Sequence, residues 1–167
     1  MGPVVQFLDV RRSLGAMKPP SARLLDDLGV EYRLIRLRGR AVTTQDVIDL
    51  AEGELNPVEI CKTIIVKDRG GAKHAVLLRG GDRIDFSKLK ATFGKISVAS
   101  REEVMEATGV EPGAVCPLTL GVHVYVDERV IGLERVNFGS GDHMYGIEVL
   151  TADLAKALSY TVLDMAE

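Results

Sequence analysis

The 167-residue sequence has no uncharged apolar run long enough to cross a bilayer, which takes about 20 residues. Its first apolar stretch, Val4-Val5-Gln6-Phe7-Leu8, is too short for a signal-peptide core, and the Arg11-Arg12 pair follows it instead of preceding it. A cytoplasmic protein without a membrane partner is therefore expected. Two cysteines, Cys61 and Cys116, give neither a disulfide framework nor a zinc spacing. The three histidines, His74, His123 and His143, are scattered, so neither a metal nor another cofactor is expected. Phosphate loop, dinucleotide fingerprint and nucleophile elbow are all missing. So are linkers, internal repeats and low-complexity segments.

What is present fits one globular domain spanning residues 1–167. Hydrophobic residues make up 46% and charged residues 27%, ordinary values for a chain that buries its own core. The net charge is −3, but it is unevenly spread. Residues 11–40 hold eight basic and three acidic side chains, and residues 62–95 hold nine and three. Residues 96–167 hold four basic and twelve acidic ones. Such asymmetry suits either a basic face beside a phosphate backbone or ordinary solvated faces, and charge alone favours the second.

Local patterns predict that Pro19-Pro20 followed by Ser21 to Gly29 is a helix, with Leu24, Leu25 and Leu28 on one face and Gly29 as its stop. A strand over Glu31–Leu37 follows, then a helix capped by Thr44 and a helical turn at Asn56-Pro57. The apolar runs 63–67 and 73–79, separated by Asp68-Arg69-Gly70-Gly71, predict a hairpin. Asp85 caps a helix with Phe86, Leu89 and Phe93 inward, and Ser100 with Glu103 forms a capping box for a helix over 101–107. Further strands are expected at 96–98, 122–126, 135–138 and 144–149, with a last helix opening near Thr151. About seven strands and five helices, neither alternating nor segregated, point to a mixed α/β domain.

Three stretches could carry chemistry. Lys62 opens an apolar strand beside Cys61; it is a solvated flanking residue or, over a pocket, a cation for a phosphate or carbonyl. The loop Gly113-Ala114-Val115-Cys116-Pro117 is a plain turn or a source of backbone N–H donors for an oxyanion. Cys116 has no histidine nearby in sequence to activate it, so a nucleophilic role ranks below that of a small buried residue. Gly139-Ser140-Gly141 reads as a close-approach turn, and His143 beside it is the histidine best placed to meet a ligand.

Taken in order, Lys62-Thr63-Ile64-Ile65-Val66, Gly80-Gly81-Asp82-Arg83-Ile84-Asp85, Glu111 to Pro117 and Phe138-Gly139-Ser140-Gly141 resemble the YbaK family. This is the editing domain associated with prolyl-tRNA synthetases and also found as free-standing aminoacyl-tRNA deacylases. The resemblance runs from about Ala22 to about Leu158 and implies a mixed, strongly curved sheet with flanking helices. It implies a trans-editing hydrolase that removes a small amino acid such as Ala, Ser or Cys from mischarged tRNA-Pro. On that resemblance Lys62, Gly113, Ala114, Val115 and Cys116 are catalytic, while Thr63, Pro117, Gly139, Ser140, Gly141 and His143 bind substrate. The implied partners are mischarged tRNA and a prolyl-tRNA synthetase; monomer and homodimer both stay open. The chain departs from the family in Ala114 and Cys116, and in Gly146, where some cysteine-specific members carry an acid. Those departures keep a second reading in play, a non-catalytic tRNA- or synthetase-binding module with the editing fold. A cysteine hydrolase using Cys116 is a third.

Overall fold

A computed structural model describes residues 18–167. Pro19 and Pro20 start helix α1 (Pro20–Leu28), and Gly29 ends it in the left-handed conformation that an L side chain resists. Strand β1 (Arg33–Arg36) leads to helix α2 (Thr44–Leu50), whose cap is Thr43, one residue before the expected Thr44. Thr43 and Asp46 form a reciprocal capping box there. A single 3-10 turn at Pro57–Glu59 precedes the hairpin β2 (Cys61–Asp68) and β3 (Lys73–Arg79). Helix α3 (Phe86–Phe93), strand β4 (Ile96–Val98) and helix α4 (Arg101–Thr108) follow. The rest comprises β5 (Val124–Asp127), α5 (Glu128–Ile131), β6 (Arg135–Gly139), β7 (Tyr145–Leu150), α6 (Leu154–Ala157) and β8 (Tyr160–Leu163).

The mixed α/β class read from the sequence is the one observed, with its strands divided between two sheets. One is antiparallel, in the order β1-β7-β6; the other is mixed, in the order β4-β2-β3-β5-β8. A lone parallel bridge between Ile60 and Asn137 joins them. Alternation along β3 sends Ala75 and Leu77 to the core between the sheets and Val76 and Leu78 to the outer core under α3. Val136 and Phe138 of β6, Ile147 and Val149 of β7, and Ala22 and Leu25 of α1 complete the inner core.

One residue of an expected apolar face is exposed, and one inward assignment is corrected. Leu28 is exposed, because Ser21 and Ala22 of α1 take the buried positions beside Leu25. Phe86, in the first turn of α3, is exposed while Leu89 carries the buried contact. Strand β8 was not expected; its residues are mostly solvent-facing and pair with β5 along one edge only, so they carry no clear alternation.

The predicted capping box of α4 has an electrostatic consequence. Glu103 accepts from Ser100 N–H and from Lys67 Nζ, both at 3.0 Å. The backbone bond first, then Lys67, pulls its carboxyl down to about 2. A folded-state value below the ordinary ~4.3 stabilises the fold above that pH and is lost as pH falls toward 2. Glu103→Gln should therefore flatten this part of the acid-unfolding curve, as followed by circular dichroism.

Candidate functional site

Where the two sheets meet they leave a cavity of about 530 Å³, within the range usual for small-molecule sites. Its walls come from β2 (Lys62, Thr63), the loop after α4 (Gly113, Val115), the β6–β7 connection (Gly139, Asp142, His143, Gly146) and the segment leading into α2 (Val42, Thr43, Thr44). Distant parts of the chain thus converge at the seam. Among the described residues that line it, Lys62 is the only lysine or arginine and Asp142 the only carboxylate.

Lys62 is half-buried, with its Nζ donating to Gly80 O at 3.1 Å. Burial pushes its amine below the ordinary lysine value; Asp82 opposes this and Arg83 reinforces it.

The two glycine-bearing motifs brace each other. A Cβ on Gly139 would lie 2.7 Å from Val115 O and 2.8 Å from the Ala114 carbonyl carbon. One on Gly113 would lie 2.7 Å from both Cα and O of Val42. Gly141 N–H donates to Ala114 O at 2.8 Å, which locks the turn to the loop. Only glycine permits such backbone-to-backbone approaches.

The structure places Lys62, Thr63, Gly113, Val115, Gly139 and His143 on the cavity wall. It does not place Ala114, Cys116, Pro117, Ser140 or Gly141 there. Ala114, Cys116 and Pro117 are buried. Ala114 N–H is taken by Glu111 O at 2.9 Å and Val115 N–H by Pro112 O at 3.4 Å, as a 3-10 turn requires. Of the amides expected to face an oxyanion, those of Gly113 and Cys116 are the two outside that turn's bonding. Ser140 is buried, its hydroxyl donating to Tyr145 O at 2.6 Å and accepting from Asp142 N–H at 3.2 Å, so it holds the turn together.

Burial disfavours the thiolate form of both cysteines. Burial pushes Cys116 up to about 11 and Cys61 up to about 12, far from thiolate at neutral pH. Iodoacetamide should leave the native protein's activity intact and label both cysteines only after denaturation, as read by mass spectrometry. Among the described residues no cluster of three or more His, Cys, Asp or Glu is placed to hold a metal, and no helix is long and apolar enough to cross a membrane.

Several wall residues were not anticipated, Asn137, Asp142, Thr43 and Thr44 among them. Asn137 had a legible signal, a carboxamide in the middle of the apolar strand Val136-Asn137-Phe138. Its Nδ2, Thr63 Oγ1 and His143 Nδ1 are buried atoms with no hydrogen-bond partner among the described residues, and all three residues line the cavity. Buried polar groups are nearly always paired in a native protein, so three exceptions around one cavity leave polar atoms there open to a polar ligand or an ordered water.

The family model of the aminoacyl-tRNA editing domain matches residues 41–157, a span that includes every wall named above. The chain belongs to this family. This editing domain is 31% identical over 100 residues to the uncharacterized protein YwhH of Bacillus subtilis, covering 58% of the chain and 64% of that protein. It is 31% identical over 107 residues to the proline–tRNA ligase of Bacillus pumilus, covering 62% of the chain and 18% of the ligase. The editing domain therefore matches less than two thirds of the length of either relative. A crystal structure of a candidate trans-editing enzyme for prolyl tRNA synthetase shares its fold, with a TM-score of 0.70 and 24% identity over 89% of this chain and 98% of that one.

Proposed function

We propose that this editing domain hydrolyses the ester of a mischarged aminoacyl-tRNA bearing a small amino acid, acting in trans on tRNA-Pro. The observation that carries the reading is the convergence of Lys62, Gly113 and Gly139 on one cavity inside a chain of this family. The ligase and trans-editing relatives support tRNA-Pro as the substrate and a prolyl-tRNA synthetase as a partner.

An aminoacyl ester is already activated, so the site has mainly to position it and stabilise a tetrahedral oxyanion. Water adds its oxygen to the carbonyl carbon, and the ester C–O bond breaks. The ribose oxygen leaves with a proton, giving free amino acid and deacylated tRNA. Gly113 N–H, free of the 3-10 turn's bonding and on the cavity wall, supplies an oxyanion donor, and the Lys62 ammonium meets the ester carbonyl or the terminal phosphate. Selection by exclusion suits the task, because one methylene changes binding by only ~1–3 kcal/mol.

The rest of the tRNA is held through phosphates. Of the basic side chains in 62–95, Lys67, Arg79 and Lys88 are paired with Glu103, Asp82 and Asp164. Arg69, Lys73, Lys90 and Lys95 are exposed and serve the phosphates. Binding should weaken with salt, each phosphate contact contributing roughly −0.7 to −0.9 to the slope of log K against log salt. A salt-independent affinity would remove this part of the reading. Turnover tests the whole: with mischarged tRNA-Pro in tenfold excess, an enzyme releases many equivalents of amino acid. A binding module retains the tRNA and releases none.

A further inference from the structure

We infer that Asn137 is a specificity-determining residue and that the preferred acyl group carries a hydroxyl, serine foremost. The inference rests on the deacylase reading above and assigns the deep end of the same cavity. Asn137 lies in β6 with 1% of its surface exposed, and its Nδ2 has no partner among the described residues. Thr63 of β2, 9% exposed, adds a hydroxyl in the same condition. The rim is different: Val42 and Val98 also line the cavity but are 57% and 51% exposed.

The substrate's polarity along the cavity follows from its size. The tRNA cannot enter, so its terminal ribose stays toward the exposed rim and the amino-acid side chain reaches the buried end. There Asn137 offers N–H donors that need an acceptor. An alanine methyl leaves that requirement unmet, and a thiol accepts only weakly. A hydroxyl oxygen satisfies it. Sites built to hydrogen-bond a substrate group reject analogues lacking it far more strongly than apolar pockets reject a missing methylene.

The backbone opposite is shaped for this carboxamide. A Cβ on Gly146 would stand 3.1 Å from Asn137 Oδ1, while its other neighbours, Ile35 and Phe138, would be at an ordinary 3.8 Å. Gly146 thus leaves the room that the Asn137 side chain occupies. Gly146→Ala displaces the carboxamide without deleting it and meets no other obstruction.

The test is the ratio of kcat/KM for seryl- over alanyl-tRNA-Pro, measured for wild type, Asn137→Leu and Gly146→Ala. The expected wild-type ratio is roughly tenfold or more, the value of one hydrogen bond to a buried donor. Both variants should lower that ratio by about the same factor, and Gly146→Ala supplies the answer if Asn137→Leu does not fold. A wild-type ratio near one overturns the inference and leaves the deacylase reading standing. So does an equal loss on both substrates in Gly146→Ala, which marks a structural role. Release of neither amino acid by the wild type removes the deacylase reading and this inference with it.

Discussion

Replacing Gly139 with alanine should destabilise the protein by about 1–3 kcal/mol, the usual cost of forcing an extra methyl group into a packed position. The three atoms that the new Cβ would meet are all backbone: Val115 O at 2.7 Å, Ala114 C at 2.8 Å and Ala114 O at 3.0 Å. None can rotate away as a side chain would. Relief requires the 113–117 loop to move off the end of β6, which strains the Gly141 N–H bond to Ala114 O. For a domain of this size, each kcal/mol corresponds to roughly 2–4 °C in melting temperature. Thermal unfolding followed by circular dichroism reads the effect. An unchanged melting temperature would mean that the loop and turn do not brace each other as described. Because the same loop carries Gly113 to the cavity, deacylation should fall even under conditions where the variant remains folded.

Lys62→Ala should reduce deacylation by about 10²–10³-fold, the range seen when one group stabilising a developing oxyanion is removed. The fold should tolerate the change, since the side chain is half-buried and its one bond is to Gly80 O. Lys62→Arg should restore little, because a planar guanidinium cannot occupy the place of a compact ammonium. The pH profile gives a separate check. Burial lowers the Lys62 value, so the ammonium is present at low pH and is lost as pH rises through that lowered value. The rate should therefore fall at a pH below that at which an ordinary lysine, near ~10.4, deprotonates. A rate that holds to the ordinary lysine value would argue that a different charge does the work.

Much of this protein is legible in its sequence because the signals are local. The β2–β3 hairpin announces itself by two apolar runs around Asp68-Arg69-Gly70-Gly71, and the Ser100–Glu103 box needs only four consecutive residues. What sequence could not convey is which distant pieces meet. The two sheets are joined by the Ile60–Asn137 bridge, whose partners are far apart in the chain. The loop residues show the same limit within the site. Gly113, Ala114, Val115 and Cys116 are equivalent in a linear reading, but a 3-10 turn sends Gly113 and Val115 to the cavity and Ala114 and Cys116 to the core. Asn137 was visible as a polar residue inside an apolar strand, yet its meaning came only from its place on the cavity wall beside Gly146.

The central claim is that the seam between the sheets holds the aminoacyl end of the tRNA. The most direct measurement is a titration with a non-hydrolysable seryl-adenosine, its ester oxygen replaced by an amide nitrogen, followed through the backbone amide signals by NMR. The account predicts saturable shifts centred on Lys62, Thr63, Gly113, Gly139 and His143, with the 69–73 hairpin turn unaffected. Shifts centred elsewhere, or none at saturating ligand, would contradict it.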